Sequence, residues 1–215
     1  MSRITVIGGT GYAGSAIVAE AAARGHEVTA FSRSLPAEPV PGATYVQGDA
    51  ADEAALSAVV TGADVVVGAL APRGALAGNY RAVYLSIARL ADAAHAPLYI
   101  VGGFSSLRPA AGAPRFVADL SDAPAAFHDE IRAAAALVID DLPATPDTLD
   151  WVFVSPAYRF GSHVPGERLG RYRRGGDIAV QPEDGGAISG PDYAQGFVDL
   201  IERGDAHRAH VNLGY

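Results

Sequence analysis

The chain has 215 residues, 49% of them apolar and 19% charged, which suits one α/β domain with a sizeable core and excludes a disordered or fibrous protein. Sixteen basic against twenty-four acidic side chains leave a formal charge of −8, a field that repels nucleic acid and anionic membrane surfaces. Cysteine and lysine are both absent, so disulfides, thiolate nucleophiles, cysteine zinc sites, Schiff bases and a P-loop lysine are excluded.

The sequence starts without a basic-then-apolar leader and holds no apolar run near the roughly 18 residues of a membrane span. A soluble, cytoplasmic protein is the expectation. A β-rich run over 3–7 stops at Gly8-Gly9, and helix formers over 12–24 end at Gly25, a fitting residue just past a helix end. Strands are expected over 27–31, 44–46, 64–70, 98–101 and 151–154, separated by helices over 52–60, 79–95 and 125–142. Alternation at this spacing specifies parallel βαβ units, hence an α/β, Rossmann-type doubly wound parallel sheet with helices on both faces. After Pro156 the pattern changes to a glycine- and arginine-rich stretch with short strand-like pieces at 168–173 and 178–181. A helix follows, capped by Ser189, with Pro191 early in it and Asp192 near its positive end. A last strand covers 210–213. The expectation is a single domain over 1–215, with 156–187 as a small substrate-side excursion across the carboxyl edge of the sheet.

Between the first strand and first helix stands Gly8-Gly9-Thr10-Gly11-Tyr12-Ala13-Gly14. Gly8, Gly11 and Gly14 have G-x-x-G-x-x-G spacing, a variant of the dinucleotide fingerprint. It serves the same needs: a tight turn, a backbone close to a pyrophosphate, and near contact between helix and strand. Amides and partial positive charge at the helix start suit phosphate. Gly8, Thr10, Gly11, Tyr12, Ala13 and Gly14 are therefore expected at the cofactor. An NAD site usually carries an acidic residue at the end of the second strand. Here the chain has Ser32-Arg33-Ser34, with Arg33 nineteen positions after Gly14. A guanidinium stacks on adenine and pairs with a 2′-phosphate, which favours NADP(H) over NAD(H). Asp49 either reaches the adenine edge or caps the helix that follows. Ala69 and Leu70 after strand four, and Gly102-Gly103 after strand five, let backbone approach the cofactor, and turn formation alone would also account for the glycines.

Gly8 to Gly14, Phe31-Ser32-Arg33, Gly48-Asp49 and Gly102-Gly103 together resemble the atypical short-chain dehydrogenase/reductase group. Val154-Ser155-Pro156-Ala157, the run from Pro165 to Arg173 and the ending Val211-Asn212-Leu213-Gly214-Tyr215 are similar to the NADH-flavin reductase family within it. That family is related to biliverdin IXβ reductase/flavin reductase and to NmrA-like regulators. The resemblance spans essentially the whole chain. It implies a single-domain reductase that uses NADPH or NADH to reduce a flavin (FMN or FAD) or another planar acceptor. Ordinary short-chain dehydrogenases work through a Tyr-x-x-x-Lys pair, and without lysine that pair cannot exist here. Flavin reduction tolerates the loss, since solvent can deliver the proton and the protein has mainly to stack and orient two rings.

Ser105 and Ser106, after strand five, and Tyr158, after strand six, are the candidates for the acceptor face, with Ser105 and Tyr158 as the expected catalytic residues. The resemblance places Tyr158 where biliverdin IXβ reductases carry a histidine near the acceptor. A phenol can stack and donate a hydrogen bond, but untuned it is a poor general acid at neutral pH; a loop aromatic packed on the domain is the alternative. His128, Asp129 and Glu130 share no helix face and make no metal site. His207 and His210 are expected on a solvated surface. No G-x-S-x-G elbow supports a hydrolase. Arg168, Arg171, Arg173 and Arg174 form a local basic patch that either attracts a flavin phosphate or acidic substrate or decorates a hairpin. Two other functions fit the same cofactor site: an NmrA-like NADP(H) sensor without turnover, and an isomerase or reductase of a specialised metabolite.

Overall fold

β1 (Arg3–Ile7) is buried on both faces from Ile4 onward, and β4 (Val65–Gly68) is buried throughout, as strands of a parallel sheet covered on both sides must be. The computed structural model describes residues 1–181 and 186–215. In chain order the other elements are α1 (Tyr12–Ala23), β2 (Glu27–Ser32), β3 (Ala43–Gln47), α2 (Glu53–Val60), α3 (Tyr80–Ala93), β5 (Leu98–Val101), α4 (His128–Ala136), β6 (Trp151–Pro156), β7 (Arg173–Gly175), α5 (Gly190–Arg203) and β8 (Ala209–Gly214).

The strands form one sheet in the order β3-β2-β1-β4-β5-β6-β8-β7. All neighbours are parallel except β7, which runs antiparallel to β8 at the edge. α1 and α5 cover one face, where Ile17, Val18, Tyr193 and Phe197 pack on Ile4, Val6 and Val154. α2, α3 and the turns after α4 cover the other, where Leu56, Tyr84, Ile87 and Leu142 pack on Ile7, Val66 and Phe153. α3 buries Val83, Tyr84, Ile87, Ala88 and Ala91, spacings of three and four that keep one helix face on the sheet. This is the Rossmann-type α/β fold. Chain order reverses at β1, between β2 and β4, and opens the crevice at the carboxyl ends of those strands where such sheets take ligands.

The β-rich pieces after Pro156 differ from expectation. The strand expected over 168–173 forms instead at Arg173–Gly175, and 178–181 is no strand but a single bridge from Ile178 to Arg108. Ala179 gives its amide to the Arg108 carbonyl and Val180 gives its own to Asn212 Oδ1, so side-chain and loop acceptors replace a ladder. Residues 182–185, within the expected 156–187 excursion, lie outside the described residues. The helix expected over 125–142 is broken into a 3₁₀ turn (Ala125–Phe127), α4, a π turn (Leu137–Asp141) and a 3₁₀ turn (Leu142–Ala144).

Candidate functional site

The glycine loop is built by contacts that exclude side chains. Gly8 has φ +90°, and a Cβ there would lie 2.5 Å from the Ala69 carbonyl oxygen. A Cβ at Gly14 would lie 2.2 Å from the Gly8 carbonyl oxygen. Helix α1 therefore begins directly on the loop that leaves β1. Gly11 is its N-cap and offers no side-chain acceptor, so the first-turn amides of Tyr12, Ala13 and Gly14 have no intrahelical partner. Those donors at the positive end of a helix suit a pyrophosphate.

The loop is clasped to β2. Gly8 donates its amide to the Phe31 carbonyl at 2.8 Å, and the Thr10 amide donates to Ser32 Oγ at 3.1 Å. Ser32 is buried and holds the loop, whereas Arg33 and Ser34 are exposed beyond it. The Arg33 carbonyl accepts from Gln47 Nε2 at 2.9 Å, and its guanidinium makes no ion pair among the described residues. A groove of about 270 Å³ opens here, lined by Gly8, Thr10, Gly11, Ser32, Arg33, Ser34, Asp49, Ala69 and Leu70 over a floor that includes Ile7 and Phe31. A larger hollow of about 350 Å³ between α3 and residues 141–149 contains none of the expected site residues.

Asp49 turns to the Ala51 amide at 2.9 Å, and Asp52, not Asp49, caps α2. Tyr12 contributes its amide to the helix start but sends its ring away. Its hydroxyl donates to the Pro165 carbonyl at 3.0 Å and accepts from the Gly190 amide at 2.9 Å. The ring lies edge-on to Phe160, so Tyr12 ties the excursion after Pro156 to the glycine loop. Leu70 gives its amide to the hydroxyl of buried Tyr84 at 3.1 Å. Arg73 also lines the groove, and Glu130 on α4 pairs with it at 3.4 Å. Only its place in the loop after β4 could have marked it in the sequence.

On the far side of β4 from Arg33, Gly102 gives its amide to the Val154 carbonyl at 2.8 Å and Gly103 leads into a 3₁₀ turn, Phe104–Ser106. Phe104 stacks on Phe116 with centroids 4.6 Å apart and meets Tyr158 edge-on at 5.3 Å. Tyr158 is 68% exposed. These three rings form a shelf at the carboxyl ends of β5 and β6. Ser105 beside it is half-buried, while Ser106 is fully buried.

His210 departs from expectation. It is half-buried on β8, opposite Phe153 of β6, with Nε2 2.8 Å from Ser155 Oγ. The cause is the parallel pairing of β8 with β6, which draws the C-terminal strand into the sheet. Burial, and then the nearby Arg115 guanidinium, hold its imidazole down at about 4. His207 is exposed as expected and pairs with Asp150 at 2.7 Å. Of the basic patch, Arg168 pairs with Glu20, Arg174 with Asp205, and Arg173 donates to the Gln181 and Tyr215 carbonyls. The described residues hold no cluster of metal-ligating side chains, and none of their helices is long and apolar enough to cross a membrane.

The NAD(P)H-binding family model matches residues 8–203. Solved structures of similar chains include a "putative epimerase" from Bacteroides thetaiotaomicron, 31% identical, covering 100% of this chain and 97% of that one with a TM-score of 0.87. A "putative exported protein" from Burkholderia pseudomallei is 36% identical over all of both chains, with a TM-score of 0.84. A "putative NADH-flavin reductase" from Streptococcus pneumoniae is 31% identical over 100% and 99%, with a TM-score of 0.82. With the glycine cradle, the free helix amides and a match over nearly its whole length, the chain belongs to the NAD(P)H-binding family, within the atypical short-chain dehydrogenase/reductase group.

Proposed function

We propose that the protein is an NADPH-dependent reductase that passes a hydride to a flavin or a similar planar acceptor. The observation that carries this reading is the shelf of Phe104, Phe116 and Tyr158, with an exposed ring at the carboxyl ends of β5 and β6, across β4 from Arg33. Aromatic rings stack on a flat conjugated acceptor at low conformational cost. The name of the similar Streptococcus pneumoniae chain points the same way.

The residues present fit the dinucleotide. Amides of Tyr12, Ala13 and Gly14 would hold the pyrophosphate, and Arg33, free of ion pairs, would meet adenine and the 2′-phosphate. Bound NADPH supplies the hydride. Gly102 and Gly103 keep the backbone low at the end of β5, and Phe104 and Tyr158 orient the acceptor plane. Water at the exposed edge of the shelf delivers the proton. With no lysine in the chain, no Tyr-Lys pair takes part, and Ser105 is the side chain nearest in sequence that could donate a hydrogen bond to the acceptor.

The test is the loss of reduced-nicotinamide absorbance by the purified protein with and without FMN. FMN-dependent oxidation of NADPH that falls in Tyr158→Ala is the expected result. Tight NADPH binding with no oxidation by any flavin would overturn the reductase reading and favour a sensor.

A further inference from the structure

Behind the aromatic shelf, Ser106 and Ser155 meet at the Gly103 carbonyl, and His210 holds Ser155 from a third element. Ser106 Oγ donates to Gly103 O at 2.6 Å. Ser155 Oγ lies 2.8 Å from the same oxygen and 2.8 Å from His210 Nε2, and the two hydroxyls are 3.1 Å apart. Across the imidazole, Arg115 Nη1 faces Nδ1 at 3.4 Å while donating to the Ser106 carbonyl at 2.5 Å. Asp177 holds both Arg115 and Arg108, each at 3.2 Å.

The proton positions follow from chemistry. A guanidinium only donates, so Nδ1 accepts and a neutral ring carries its proton on Nε2. Ser155 Oγ then accepts from Nε2 and donates its own proton to Gly103 O, which also receives the Ser106 proton. Each of these side chains is thereby satisfied. A second ring proton would place Nδ1–H against Arg115; the Asp177 carboxylate favours that proton, but burial and Arg115 outweigh it.

A trans peptide sends its carbonyl and the next amide in opposite directions. Pinning the Gly103 carbonyl inward therefore directs the Phe104 amide away from the cluster, and that amide has no acceptor among the described residues. We infer that His210, Ser155 and Ser106 are positioning residues that fix the 103–104 peptide so that the Phe104 amide serves as a hydrogen-bond donor to the nicotinamide half of the cofactor. The inference rests on the dinucleotide reading, since Arg33 beyond β2 leaves the β5 side of the sheet to the nicotinamide.

Histidine ¹H–¹⁵N spectra, with His210 identified by its loss in His210→Gln, test the proton positions without any turnover. The expected result is a neutral ring protonated on Nε2 from neutral pH to about pH 5, where an ordinary histidine is charged. Binding of NADPH is then compared with that of adenosine 2′,5′-bisphosphate, which lacks the nicotinamide. Ser106→Ala/Ser155→Ala and His210→Leu should weaken NADPH about tenfold and the fragment by less than about twofold. His210→Gln keeps a donor for Ser155 and an acceptor for Arg115, and should recover most of the loss. Ser155→Ala alone replaces the double variant if that fails to fold. A proton on Nδ1, ordinary titration, equal losses for both ligands, no loss, or no rescue by glutamine would overturn the inference. Failure of the flavin assay in a wild-type protein that shows these ratios would remove the reductase reading and leave the positioning role standing.

Discussion

A methyl group on Gly14 would lie 2.2 Å from the Gly8 oxygen, well inside van der Waals contact, and the nearest obstacles are backbone atoms that no rotamer change can move. Gly14→Ala must therefore push α1 away from β1. The expected cost is about 1–3 kcal/mol of stability, together with loss of dinucleotide binding, read by thermal unfolding and by NADPH fluorescence titration. Normal binding in a stable Gly14→Ala protein would show that the helix start is not the phosphate cradle. Arg33 is the opposite kind of residue: exposed, without an ion pair, and free to be replaced without effect on the fold. Arg33→Asp exchanges attraction for repulsion at the 2′-phosphate. NADPH affinity should fall by tens of fold, the size of a lost charge-assisted hydrogen bond, while NADH changes by less than about threefold. Equal losses for the two cofactors would sink the 2′-phosphate role. Both residues are legible in the sequence because one follows from glycine spacing and the other from a strand end. Ser106 is legible only as one of two serines after strand five, and His210 is not, since nothing local marks the Gly103 carbonyl that Ser106 binds or the Ser155 hydroxyl that His210 meets.

Among the elements, β1, α1, β2 and β4 to β6 are readable because apolar runs and turn glycines set them locally. The segments around 108–118, 157–181 and 186–189 are not, because contacts distant in sequence hold them. Asp177 joins Arg108 to Arg115, and the excursion is fastened at the start of α5. There the buried Asp192 carboxylate accepts from the Leu169 and Gly170 amides at 2.7 and 2.8 Å, and from the hydroxyls of Ser189 and Tyr215. Desolvation opposes the charge, but Tyr215, those amides and Ser189 outweigh it and hold the carboxyl below its usual range. A carboxyl lowered on folding contributes stability above its unfolded value near pH 4, and that contribution is lost as pH falls through the lower folded value. Asp192→Ala should cost about 2–4 kcal/mol in urea unfolding at neutral pH, because several buried donors lose their acceptor. It should also speed proteolysis within 163–172. An unchanged cleavage rate would mean that the excursion is held chiefly by the Tyr12 hydroxyl, which meets the Pro165 carbonyl and the Gly190 amide.

For the molecule as a whole, the sheet order puts every candidate group at the carboxyl ends of the strands, with Arg33 beyond β2 and the aromatic shelf beyond β5 and β6. The alternation of strands and helices makes the parallel, doubly wound architecture legible, though not the strand order itself. The parallel seat of β8 between β6 and β7 depends on pairing across more than fifty residues and is not legible either. That seat also gives the fold a pH dependence. His210 is pressed down to about 4 by burial and by Arg115, whereas in the unfolded chain it titrates near 6.5. As pH falls from about 6.5 to about 4, the unfolded chain takes up a proton that the folded chain refuses, so stability declines across that window. The wild type should lose about 2–3 kcal/mol from this group between pH 7 and about pH 4.5, and His210→Gln should not. Denaturant unfolding of both proteins at the two pH values measures the difference directly, because Asp192 and the other acids are common to them and cancel. Parallel losses in wild type and variant would mean that the imidazole accepts its proton in the folded state. Arg115 would then not hold Nδ1 as an acceptor, and the proton arrangement around Gly103 would fall with it.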